Sequence, residues 1–217
     1  MSHDRAVPIG LDHVFDPYGG ARPPDVLTGT LLVATPRLTD PHFARRVALV
    51  LEDSEHGSLG VVLDQPGPVA VADILPRWHS LATAPDRLFV GGPVARNAII
   101  GLVRMGGDRR KGDGAPLRPE GWTLLVEGTQ PVGTIDLSMD PAECAASLVG
   151  VRLFSGYAGW SAGQLRHEID EGSWYVLPCQ EHDPLSGDPE GLWRRVLRRQ
   201  GGALAMVAAY PSDPAGN

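Results

Sequence analysis

The sequence predicts an α+β fold, one domain in which a curved, mixed and largely antiparallel sheet carries helices packed on it. Three observations lead there. Short apolar and β-branched runs bounded by turn residues recur along the chain and read as about ten strands. Several of these runs are joined by connections too short for a crossover, which requires antiparallel neighbours. Helix starts are scattered among the strands instead of alternating with them one for one.

Taken in order, residues 1–26 carry Pro8, Pro17, Gly19, Gly20, Pro23 and Pro24 without periodicity. They read as a flexible N-terminal arm before a single domain over 27–217. A strand is expected over Gly29 to Ala34. Thr39-Asp40-Pro41 predicts a short helix, with Asp40 as cap and Pro41 at the first helical position. Val47 to Leu51 and Leu59 to Leu63 read as a hairpin closed at Asp53 to Gly57. Pro66 to Pro68 break the chain, and Val71 to Leu75 reads as a turn or two of helix stopped near Pro76. Strands follow at Leu88 to Val90, Ala98 to Met105, Trp122 to Glu127 and Val132 to Leu137, with Gly106 to Gly121 as a flexible loop. Asp140-Pro141 opens a helix expected to run to Gly150, and Val151 to Phe154 is a strand. The run Gly156 to Trp160 reads as a glycine-rich turn. Ser161 and Gln164 then open a helix that buries Leu165 and Ile169 and ends near Gly172. Trp174 to Leu177 is a strand. Asp188-Pro189 starts a helix with Leu192, Trp193, Val196 and Leu197 on its buried side, and Ala203 to Tyr210 is a last strand.

The 217 residues are 42% apolar and 21% charged, an ordinary globular balance. Net charge is -7, which disfavours non-specific attraction to nucleic acid or anionic membrane. Two cysteines, Cys144 and Cys179, are too few for a disulfide framework. No apolar stretch approaches the ~18 residues of a membrane span, and Met1 to Gly10 lacks a signal-peptide core. A cytoplasmic protein is expected.

Residue types that carry chemistry are sparse. The seven histidines are scattered, and His167 and Glu168 are helix neighbours pointing about 100° apart, so no metal set forms. There is no phosphate-binding loop and no nucleophile elbow. Cys179 has no base nearby in the sequence. Hence no catalytic residue, metal or cofactor is expected. The glycine-rich run is the exception. Strand, glycine turn and helix start offer backbone N–H groups to an anion, and Tyr157 and Trp160 offer faces for stacking. Against this stands the structural reading, in which the glycines shape a turn and both aromatics fill the core.

Four stretches carry a resemblance. They are Thr35-Pro36-Arg37-Leu38-Thr39-Asp40-Pro41-His42-Phe43; Glu52 with Gly57 and Gly60 leading into Pro66; Gly91-Gly92-Pro93-Val94; and Gly156 to Trp160 with Gly163-Gln164-Leu165, Glu168 and Trp174. In this order they resemble the YqgE/AlgH family of bacterial proteins, over about residues 27 to 177. The resemblance implies a sheet curled into a partial barrel. It implies no settled activity, although some members carry the label of transcriptional regulator. This chain departs by having Asp64 where Asn is usual, Arg166 where Glu is usual, and Val103 near the place of a frequent histidine.

The expected function is a non-enzymatic binding or regulatory protein, acting on transcription only indirectly, with a small anionic ligand or a protein as partner. Its candidate ligand-binding residues are Gly156, Tyr157, Gly159, Trp160, Gln164 and Glu168, joined by Arg46 and Glu52. The alternative is an enzyme acting on a small anionic ligand at the same run, with Glu168 or Glu52 as general base. Burial and mutual bonding of Tyr157, Trp160 and Glu168 would make the run scaffold; an open pocket lined by them would favour a ligand or catalysis.

Overall fold

The computed structural model describes residues 24–106 and 118–209. The expected N-terminal arm up to residue 23, most of the expected loop at 107–117, and the tail from 210 lie outside the described residues. Two compact units are present, Asp25–Trp193 and a smaller one that takes in the chain from Arg194 onward.

The larger unit is built on a curled ten-stranded sheet. Its strands are β1 (Thr30–Ala34), β2 (Val47–Ser54), β3 (Gly57–Val62), β4 (Pro66–Ala70), β5 (Arg87–Val90), β6 (Val94–Met105), β7 (Trp122–Val126), β8 (Val132–Ile135), β9 (Leu148–Ser161) and β10 (Trp174–Pro178). The main path runs β10-β1-β2-β3-β9-β6-β8-β7, and every pair along it is antiparallel. Among the described strands one pair, β5 with β9, is parallel, and β4 lies beyond β5. The α+β class and the hairpin of β2 and β3 agree with the sequence reading. β1 is flanked by strands on both sides, and Leu31, Leu32, Val33 and Ala34 are all fully buried, which explains its unbroken apolar run.

The helices are short: α1 (Val71–Ile74), α2 (Pro141–Cys144) and α3 (Gln164–Asp170), with 3-10 turns at Pro76–Leu81 and Ala145–Ser147. Trp78, Val71, Val103, Cys144, Val151 and Leu153 form one buried apolar cluster. Arg152, 2% exposed, donates to the carbonyls of Ala84 (2.8 Å) and Ser186 (2.8 Å) and lies over the Phe89 ring. It anchors two loops on β9. In the smaller unit, the last turns of α4 (Leu192–Gln200) and α5 (Gly202–Val207) bury Val196, Leu197, Leu204 and Val207.

Several elements differ from expectation. The glycine-rich run is not a turn: Gly156 to Trp160 lie inside β9, a strand of 14 residues. Backbone pairing with β3 on one side and β6 on the other outweighs the turn preference of its glycines. Asp40-Pro41 opens one hydrogen-bonded turn, with Ala44 N–H donating to the Asp40 carbonyl at 2.7 Å, and no helix follows. The Asp140 helix is capped as expected, by the Asp140 side chain on Ala142 N–H at 3.0 Å, but helical structure stops at Ser147 and Gly150 belongs to β9. Pro66 and Pro68 sit within β4, an edge strand where a missing N–H is tolerated. The predicted last strand is the helix α5, whose Ala203, Leu204, Ala205 and Met206 are strong helix formers.

Candidate functional site

In β9 the exposure pattern from Ser155 to Ser161 alternates strictly, with Gly156, Ala158 and Trp160 buried and Ser155, Tyr157, Gly159 and Ser161 more exposed. A strand sends successive side chains to opposite faces of its sheet. The run therefore divides the candidate residues between two faces.

Trp160 leads the inner set. It is 6% exposed, and its Nε1 donates to Glu168 Oε2 at 3.0 Å. Trp174 Nε1 donates to the same oxygen at 2.9 Å, and Gln164 Nε2 donates to Glu168 Oε1 at 3.0 Å. Phe43 closes the cluster, its ring centroid 6.3 Å from Trp160 and 5.6 Å from Trp174. Gln164 Oε1 accepts from both the backbone N–H and the hydroxyl of Ser161, each at 3.0 Å. This is half of the expected capping box: the glutamine reaches back, but the serine hydroxyl does not cap. The turn into α3 is made by Gly163 at φ +76. Trp160, Gln164 and Glu168 are thus brought together, buried in part and mutually bonded. Trp160 and Glu168 meet the scaffold condition set out above; Tyr157, half-buried and not among these bonded groups, does not.

Beside it lies an open concavity of about 280 Å³ whose walls include Asp53, Ser58, Gly163 and Arg166. Its polar groups satisfy each other. Ser58 Oγ donates to Asp53 Oδ1 (2.6 Å), and Arg166 Nη2 donates to Asp53 Oδ2 (3.2 Å) and to the Asp25 carbonyl. Arg166 is one of the family departures; here it ties α3 to the end of β2. A second concavity, about 300 Å³, sits beside the Arg77–Asp140 ion pair and contains no predicted site residue.

The opposite face holds the other half. Register places Glu52 opposite Leu59 and Leu59 opposite Gly159, while Val94 stands opposite Tyr157. Paired residues share a face. Glu52 and Gly159 are exposed, Leu59 and Tyr157 half-buried, and Val94 is 39% exposed. Next to them β6 bulges. Val94 pairs with Tyr157 and Ile99 with Ser155, so residues 95–98 stand against Gly156 alone. All four are exposed, and Ala95 has a strained φ of +44. Ser155 Oγ donates to the Arg96 carbonyl at 2.5 Å and pins the bulge. Gly156, at φ +70, makes room beneath it: a Cβ there would lie 2.7 Å from the Val94 carbonyl oxygen. Leu59, Val94 and Arg96 were not among the candidate site residues read from sequence, although Val94 belongs to the Gly91 to Val94 match. Reading the run as a strand and following its alternation would have pointed to this face.

Arg46 joins neither set. Its Nη1 donates to the Asp64 carbonyl at 3.3 Å, and its Nε is buried without a hydrogen bond. The Asp64 carboxylate, 1% exposed, accepts from Val47 N–H at 3.4 Å. Burial pushes its pKa up to about 7, against the opposing pull of Arg46 and the backbone N–H. Among the described residues no group of three or more His, Cys, Asp or Glu is arranged to hold a metal ion.

With this geometry in hand, comparison with known proteins is informative. The family model described as AlgH-like, DUF179, matches residues 31–205. A UPF0301 protein of Streptomyces avermitilis is 50% identical over 191 residues, covering 88% of this chain and 95% of the relative. One of Mycobacterium tuberculosis is 40% identical over 190 residues, covering 87% and 89%. A crystal structure of a protein from Corynebacterium diphtheriae superposes with a TM-score of 0.78 at 30% identity, covering 89% of this chain and 97% of that one. The solution structure of the AlgH protein from Pseudomonas aeruginosa, at 24% identity and a TM-score of 0.59, shares the fold, covering 89% and 98%.

Proposed function

The chain belongs to the AlgH-like family, DUF179, and from that premise we propose that it is a non-enzymatic cytoplasmic binding and regulatory protein that works by contact with another protein. The contact surface is the outer face that Glu52, Leu59, Tyr157 and Gly159 share with Val94 and the bulge of β6. One observation carries the reading: strand alternation in β9 ties up Trp160 on one face and leaves Gly159 exposed and Tyr157 half-buried on the other. Tyrosine and arginine beside apolar groups are the residue types that dominate protein contacts. Control of transcription would on this reading be indirect, since a chain of net charge -7 is repelled by DNA phosphates.

The competing reading, catalysis on a small anionic ligand with a glutamate base, draws less support. Both oxygens of Glu168 already accept N–H donors. Glu52 stands exposed on the far side of the sheet from them. A photo-crosslinking residue placed at Tyr157 in living cells tests the proposal, with the same residue at exposed His167 on α3 as control. Capture of a specific protein from position 157, abolished by Gly159→Arg and absent from position 167, is expected. Equal labelling from both positions, or none from 157, would overturn the proposal.

A further inference from the structure

The segment from Thr35 to Arg46 joins β1 to β2 without a helix or strand of its own. It forms a strap tied at both ends and at one point between. At the first end, Thr35 N–H donates to the Ser173 carbonyl at 3.0 Å, and its hydroxyl to the Gly172 carbonyl at 2.8 Å. In the middle, the Phe43 ring lies against Trp160 and Trp174. Near the second end, Arg45 sits over the Trp193 ring at 4.9 Å and holds a φ of +57, a region that residues with a Cβ rarely occupy.

The second end is fixed by a buried polar cluster that is half satisfied. Ala48 stands opposite Val62 in the β2–β3 ladder, which sets Arg46 opposite Asp64. The buried Asp64 carboxylate accepts from Val47 N–H at 3.4 Å, a long bond. Arg46 Nη1 donates to the Asp64 carbonyl at 3.3 Å, its Nε is buried without an acceptor, and it makes no ion pair with the carboxylate. Among the described residues Arg46 is the one charged group close enough to act on Asp64, and burial outweighs it together with the N–H groups of Val47 and of Asp64 itself. Gln65, next in the chain, and Val90, whose N–H bonds the Gln65 carbonyl, carry no charge. A buried carboxyl held this weakly is tolerated as the neutral acid, and its ionised form is relieved when water reaches it.

We propose that the strap is a gate over Trp160 and Trp174, closed while Asp64 holds its proton and released when the proton leaves. Release lets Arg46 follow the ionised carboxylate into water, lets Arg45 leave its disfavoured φ, and lifts Phe43 from the two indoles. One proton thus biases a two-state element. The gate goes beyond the contact surface of the outer face and does not depend on it. Its sign is fixed by burial: the carboxyl lies at about 7 when closed and regains its ordinary value of 3.8 when open. The open population therefore rises about tenfold per pH unit between about pH 5 and 7 and levels above.

Hydrogen exchange of the full chain tests it, followed at Val47 N–H, at Arg46 N–H, which donates to the Phe43 carbonyl at 2.9 Å, and at the indole N–H groups of Trp160 and Trp174. Each rate is divided by the intrinsic rate at that pH. All four positions are expected to follow the stated pH course and to ignore urea below the unfolding transition, whereas the central amides of β9 respond to urea as the whole fold does. In Asp64→Asn, with folding checked by circular dichroism, opening is expected to be flat with pH. Opening that ignores pH in the parent, that keeps its pH course in Asp64→Asn, or that shares the urea slope of β9 would overturn the proposal. So would indole N–H groups that do not follow Val47.

Discussion

At the scale of single residues, Glu168 and Asp64 act in opposite senses on stability. Glu168 is the common acceptor for two buried indoles and one amide, and removing it leaves two buried N–H groups without a partner. Glu168→Ala is expected to cost about 2–5 kcal/mol, read as a lower midpoint in urea unfolding, and Glu168→Gln distinctly less because one acceptor remains. Asp64 works against the fold at neutral pH. Burial lifts its carboxyl to about 7 in the folded chain, from an ordinary value of 3.8 that it regains on unfolding. Between these values the folded chain holds a proton that the unfolded chain has lost, so stability falls as pH rises from about 4 to about 7 and is level above. Asp64→Asn keeps an acceptor for Val47 N–H and removes the titration. The variant is expected to match the parent near pH 4 and to exceed it above pH 7, by an amount on the order of 4 kcal/mol at most. Thermal unfolding at a series of pH values checks this, and a parallel shift at all pH values would refute it. Asp64 and its unusual place could be marked from sequence through the family resemblance. Its burial could not, because burial is made by strands distant in the chain.

At the scale of elements, β9 organises the molecule. It pairs with β3, β5 and β6, and its central residues were the ones most easily misread. Glycine is a turn former when only local preference is weighed. Here two of the glycines serve different ends. A Cβ at Gly156 would stand 2.7 Å from the Val94 oxygen and 2.8 Å from the Gly92 oxygen, both backbone, at a φ of +70. A Cβ at Gly159 meets nothing nearer than the Tyr157 ring at 3.5 Å. Gly156→Ala is expected to destabilise by about 2 kcal/mol or more and to speed amide exchange along β6. Gly159→Ala is expected to stay within about 1 kcal/mol of the parent. Similar losses from both would mean that the bulge does not depend on Gly156. The capping role of Gln164 was legible from its spacing to Ser161. The partners of Trp160 were not, because Glu168 and Trp174 come to it through folding of α3 and β10.

At the scale of the whole molecule, the proposed contact surface and the Trp160 scaffold lie on opposite faces of the sheet, so their effects are separable by mutation. Tyr157→Ala is expected to change the unfolding midpoint little, while Trp160→Ala, which empties the scaffold on the other face, lowers it by several degrees. On the proposed reading the same pair reverses in contact: Tyr157→Ala is expected to lose partner capture, and a stable variant at the scaffold to keep it. Thermal scans against nucleotides and phosphorylated metabolites check the remaining small-ligand expectation, which a midpoint rise dependent on Trp160 and Glu168 would revive. By itself the sequence determined the α+β class, the β2–β3 hairpin, the buried stripe of α3 and the family, because these rest on local periodicity, short connections and residue motifs. Only the tertiary structure decided that the glycine-rich run is a strand, that Trp160 and Tyr157 serve opposite faces, and that Glu52 keeps company with Gly159 and not with Glu168. Those outcomes depend on which strands pair and in what register, and a shift of one residue would exchange the two faces.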